Sequence, residues 1–173
     1  MTQPARTHSF FSALSAHTDA VGAATRAAEQ VVRAAAGAPI DMLFAFISGA
    51  HAEHARAIST VLRERLSPRF LIGTSAEGVV GGSVEVEGAG AVSLLGASLP
   101  GVRFHTFTDG DIPPIPDELD ADTVASLAQG IGVGPDLKAT FLFVDPYSVP
   151  MVRLLPALNR ARRLVPGEAP RGV

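Results

Sequence analysis

Residues 42–47, Met-Leu-Phe-Ala-Phe-Ile, form an apolar run of strand length with no polar alternation. A strand with one face in water alternates, so an unbroken run of this kind is expected in a strand buried on both faces, usually central and parallel. Pro39 breaks the chain before it and Ser48-Gly49 ends it. Residues 52–66 resume helical periodicity through Ala55, Ile58, Leu62 and Leu66, leaving Arg56, Arg63, Glu64 and Arg65 for the solvent face. Pro68 separates this helix from a short strand, Phe70-Leu71-Ile72. Strand, helix, strand in that order predicts a right-handed βαβ crossover.

Upstream, Phe10, Phe11 and Leu14 predict a strand over 9–15 near a sheet edge, preceded by a disordered tail over 1–8. A helix runs from Thr18 or Asp19 as cap to Gly37 as stop, with Val21, Ala24, Ala28, Val31 or Val32 and Ala35 at helical spacing. Downstream, Val84 and Val86, then Ala91, Val92, Leu94 and Leu95, sit between glycines with no helix, which reads as a β meander. Arg103-Phe104-His105-Thr106-Phe107 alternates and is expected to pair antiparallel with 91–99. Pro113, Pro114 and Pro116 make 109–117 an extended connection. A short helix at 119–129, a turn at 130–135, a second buried strand at 139–144 and a helix at 156–163 follow.

The fold class is therefore α/β: a mixed β-sheet, with a parallel βαβ part and an antiparallel meander, and flanking helices. Two packed sheets are the alternative. Residues 9–165 are expected to form one domain, and 166–173, with turn chemistry and no element after it, a tail or a truncation.

At 173 residues the chain is long enough to bury a core without disulfides or a structural metal. A net charge of −3 gives no field for a polyanion, so nucleic acid is not an expected partner. Even Arg153, Arg160, Arg162, Arg163 and Arg171, without interleaved aromatics, read as a solvated face. Cysteine is absent, which excludes thiol catalysis and thiolate metal sites. No secretory signal is visible and the longest apolar run is too short for a bilayer, so membrane insertion is not expected and the cytoplasm is the expected compartment.

Gly73-Thr74-Ser75-Ala76-Glu77-Gly78 invites comparison with the G-x-S-x-G elbow that presents a serine nucleophile. Glu77 stands where the second glycine should be, and an extended segment follows where the elbow needs a helix. A serine hydrolase using Ser75 is therefore a secondary reading. Phosphate-loop and dinucleotide patterns fail as well, for want of the lysine and of the second glycine. The segment 72–82 reads better as a strand-to-strand corner, where backbone N–H groups of 74–78 could hold a carboxylate or carbonyl. Glu77 either joins such a site or caps a turn. Ligands favour the carboxyl ends of strands in open α/β sheets, and three such ends carry polar groups: Ser48 with His51, Thr74 to Glu77, and Asp145 with Tyr147 and Ser148. His51 and His54, three apart beside Glu53, are a weak metal or haem pair, since a histidine at a helix start is most often solvated.

Taken together, Phe44-Ala45-Phe46, the run Phe70-Leu71-Ile72-Gly73-Thr74-Ser75-Ala76-Glu77-Gly78-Val79-Val80-Gly81-Gly82, Ala91-Val92-Ser93-Leu94 and Ala97-Ser98-Leu99-Pro100 closely resemble the N-terminal FIST domain. Leu142-Phe143-Val144-Asp145-Pro146, Leu154-Leu155 and Ala157-Leu158-Asn159 extend the resemblance over nearly the whole chain from Ser9. The glycine-flanked T-S-A-E core is its most specific part. The resemblance implies a non-enzymatic sensory input domain of bacterial signalling proteins that binds small ligands such as amino acids. Some relatives are haem-binding nitric-oxide sensors, which makes haem the alternative cofactor, with no ligand residue to carry over. Family members continue into a C-terminal FIST half, so that half or a signalling output domain is the implied protein partner. The expected ligand-binding residues are Gly73, Thr74, Ser75, Ala76, Glu77 and Gly78, with Ser48 and Asp145.

Overall fold

The computed structural model describes residues 7–145 and 147–164, in two compact units that divide after Val102. The tails expected at 1–8 and 166–173 fall outside the described residues, apart from Thr7 and His8.

The first unit runs β1 (Ser9–Ala16), α1 (Ala20–Ala35), β2 (Met42–Ser48), a 3-10 turn (Gly49–His54), α2 (Ala55–Leu66), β3 (Phe70–Ala76), β4 (Gly78–Gly81), β5 (Val84–Glu87) and β6 (Ala91–Ser98). Four strands make one mixed sheet in the order β1-β6-β2-β3, and β4 and β5 form a separate antiparallel pair. β2 and β3 are parallel, from Met42 opposite Phe70 to Ser48 opposite Ala76. β6 is antiparallel to both β1 and β2. The apolar run 42–47 is thus central, as its lack of alternation predicts, and the strand over 9–15 lies at the sheet edge.

Side chains alternate across a sheet, so Phe11, Ala13, Leu43, Ala45, Ile47, Val92 and Leu94 share one face, and they form the core with α1 and α2. α1 starts where the Asp19 carboxylate accepts the Gly22 N–H at 2.5 Å. Its buried stripe is Ala20, Ala23, Ala24, Ala27, Ala28, Val31 and Ala35, small residues that let the helix lie close to the sheet. Of the alternatives Val31 and Val32, Val31 is the one on the stripe, whereas Val21, also expected there, is 43% exposed. The helix stops at Ala35, two residues before Gly37, with Ala36 in the left-handed region at φ 47° and its N–H bonded to the Val32 carbonyl. Asp41 ties β2 to the end of β6, its carboxylate accepting the Leu99 N–H at 2.6 Å.

The β4–β5 hairpin lies over the opposite sheet face. Ser93 Oγ donates to the Val80 carbonyl at 2.7 Å, and Gly81 passes so close to Leu14 that a Cβ there would be 2.6 Å from Leu14 Cβ. Gly82, at φ 61°, supplies the positive φ that the two-residue turn into β5 requires.

The second unit holds a 3-10 turn (Asp109–Asp111), α3 (Ala121–Gly130) and α4 (Met151–Ala161). Val124, Leu127, Ala128 and Ile131 pack on Leu154, Ala157, Leu158 and Ala161. α4 begins five residues before Pro156, which therefore sits inside the helix rather than opening it.

Two expected strands are absent. Residues 103–107 do not pair with β6, because β1 and β2 already occupy both of its edges. His105 instead anchors locally, its Nε2 donating to the Gly130 carbonyl at 3.0 Å. Residues 139–144 are irregular, with Leu142 packed on the α3–α4 core. An apolar run states a need for burial, and here two helices meet that need for Leu142. Among the described residues, no helix is long and apolar enough to cross a membrane.

Candidate functional site

β3 runs four residues past Ile72, through Gly73, Thr74 and Ser75 to Ala76, and Glu77 alone makes the bend into β4. The glycine-rich segment is a strand-to-strand corner, with the bend at Glu77. Gly73 is required by close approach: a Cβ there would collide with the Ala45 carbonyl of the neighbouring strand.

Between this stretch and α2 lies a groove of about 500 Å³, lined by Ala45, Ile47, Leu71, Gly73, Thr74 and Ser75 of the sheet and by Ala52, Ala55, Arg56, Ile58, Ser59, Leu62 and Arg63 of the turn and helix. Its size and its mixture of an apolar wall with a few polar groups suit a small molecule. Small side chains open it, since Ala45, Gly73 and Ser75 on the sheet face Ala52, Ala55 and Ser59.

Three of the expected site residues, Gly73, Thr74 and Ser75, line this groove. Ala76, Glu77 and Gly78 do not line it; Glu77 is exposed at the bend, and Gly78 packs against Glu87 of β5. Ser48 is 1% exposed and its Oγ accepts the Ala91 N–H at 2.8 Å, which clamps the end of β2 to the start of β6. Arg56, Ser59 and Arg63 were missed as site residues because helical periodicity assigned the arginines to solvent. They are at positions i, i+3 and i+7 of α2, a spacing that places them on one helix face.

His51, expected to be solvated, is buried at 2%. The 3-10 turn carries it inward over Gly90, whose missing side chain leaves room for the ring. Its Nε2 lies 2.9 Å from the His17 carbonyl; a carbonyl only accepts, so this nitrogen carries a proton. That nitrogen is therefore not available as a metal ligand in this arrangement. Among the described residues, no three His, Cys, Asp or Glu side chains form a group that could hold a metal ion.

Residues 41–166 match the family model described as FIST N domain, well over half of the chain. The chain belongs to the FIST N family. FIST domains are sensory domains of signal transduction. Comparison with curated proteins and with solved structures finds no match.

For a FIST N chain the geometry of Ser75 is informative. An elbow serine sits on a sharp strand-to-helix turn, whereas Ser75 lies within β3 opposite Ile47, with another strand following. The histidine hydrogen bonds go to the carbonyls of Pro100, Asp19, His17 and Gly130 and to the Asp19 N–H, none to Ser75.

Asp145 belongs to the second unit of the FIST N chain. Its carboxylate accepts the Ser148 hydroxyl and, at 3.0 Å, the Tyr147 N–H, and these two bonds hold its pKa below the ordinary carboxylate value. It organises its own turn, since the Ser148 and Val149 N–H groups also bond its carbonyl, each at 3.1 Å.

Proposed function

We propose that this FIST N domain is a non-enzymatic small-ligand sensor, and that its ligand binds in the groove between β3 and α2. The observation that carries the reading is the groove of about 500 Å³ whose wall includes Gly73, Thr74 and Ser75, part of the glycine-flanked segment that carries the resemblance to the family. Small metabolites, amino acids among them, are the candidate ligands. A C-terminal FIST half or an output domain is the proposed protein partner, and the cytoplasm the proposed compartment. Of the segment 73–78, the stretch Gly73-Thr74-Ser75 is the proposed recognition strip. Ser48 and Asp145 act in this reading as supports of local structure.

The test is thermal unfolding in a panel of small metabolites at millimolar concentration, on the wild type and on Ala55→Trp. Ala55 lines the groove and is exposed, so the indole fills the space with little cost to the core. A ligand of micromolar affinity at a thousandfold excess stabilises by about 4 kcal/mol, which the wild type shows and Ala55→Trp lacks. A panel without any stabilising compound would sink the sensor reading.

A further inference from the structure

We infer that the groove selects a linear dicarboxylate over a zwitterionic amino acid; this rests on the groove being the ligand site. Arg56 and Arg63 both line it, and among the described residues neither forms an ion pair, whereas Arg65 of the same helix reaches Glu29 at 3.7 Å. No Asp or Glu lines the groove. An α-ammonium would meet two guanidinium groups and no carboxylate, while a carboxylate meets donors that bind it with charge-assisted bonds.

The arrangement along the helix specifies two anionic ends. Seven residues of helix rise about 10 Å, and α2 runs antiparallel to β2 and β3 in the crossover. Arg56 thus stands at the end with Thr74 and Ser75, and Arg63 at the end with Leu71. Ala45, Ile58 and Leu62 lie between them as an apolar wall for a methylene chain. Of the hydroxyls at the Arg56 end, the one left to donate is on the sheet. Ser59 Oγ spends its proton on the Arg56 carbonyl at 2.9 Å and so offers a ligand only lone pairs. The Ser75 hydroxyl proton is the one a bound carboxylate can take.

The test compares adipate, its neutral diamide adipamide, and leucine by thermal shift and calorimetry on the whole chain. Adipate is expected to bind, with Arg56→Gln and Arg63→Gln each weakening it about tenfold or more, Arg56→Lys restoring part of the loss, and Arg65→Gln changing nothing. Both glutamine variants sit at exposed positions, and an unfolding midpoint without ligand equal to the wild type's confirms their folding. If adipamide or leucine binds as well as adipate, untouched by the arginine variants but lost in Ala55→Trp, dicarboxylate selection is overturned and the groove stands. If adipate does not bind, selection is likewise overturned. If no metabolite of any charge binds, or if binding survives Ala55→Trp, the groove reading falls too.

Discussion

Gly73 shows how a single missing side chain shapes the first unit. Its Cβ position is occupied by the Ala45 carbonyl, a backbone atom that cannot rotate away, so Gly73→Ala is expected to lower stability by about 1–3 kcal/mol in urea unfolding. The motif reading of 73–78 found the segment but not this cause, because the clash depends on strand register. His51 was read as solvated for a similar reason: nothing local to it announces that Gly90, thirty-nine positions on, leaves room for its ring. His51→Ala, which opens a cavity and orphans the His17 carbonyl, is expected to cost about 2–4 kcal/mol. Ser67 ends α2 at φ 44°, in a region where a side chain costs about 1 kcal/mol. Ser67→Gly should therefore raise stability by about that amount, measured as the shift in denaturation midpoint.

At the scale of elements, α1, β2, α2 and the edge strand β1 were legible because each declares its environment through its own pattern. Their neighbours' choices were not. The alternation at 103–107 is real, yet a strand needs a free edge, and β6 has none. The groove escaped the reading because Arg56 and Arg63 satisfy the solvent-face rule and line a site at once. Acid sensitivity belongs to this scale as well. Asp120 caps α3 by accepting the Thr123 N–H at 2.6 Å, and that bond holds its pKa below the ordinary 3.8. Asp111 and Asp136 are lowered in the same way, by Thr108 and Arg103 respectively. A carboxyl whose pKa falls on folding contributes stability that is complete above its unfolded value and is lost as pH drops through the folded one. The second unit should thus lose stability below pH 3.8, and Asp120→Asn, which keeps a capping oxygen without the charge, should flatten that dependence in acid titrations followed by circular dichroism.

Across the whole molecule, a βαβ crossover places β3 beside β2, and small residues on both sides of the α2 interface keep a space open there. That space, bounded by Gly73, Thr74 and Ser75 on one side and on the other by Arg56 and Arg63, which form no ion pair among the described residues, is the centre of the sensor account. The most direct measurement is residue-resolved amide NMR of the isotope-labelled chain, titrated with the metabolite that gives the largest thermal shift. The account expects saturable shifts concentrated at Ala45, Ala55, Ser59, Leu71, Gly73 and Ser75, and their disappearance in Ala55→Trp. Saturable shifts centred on other residues, with those six unmoved, would contradict it.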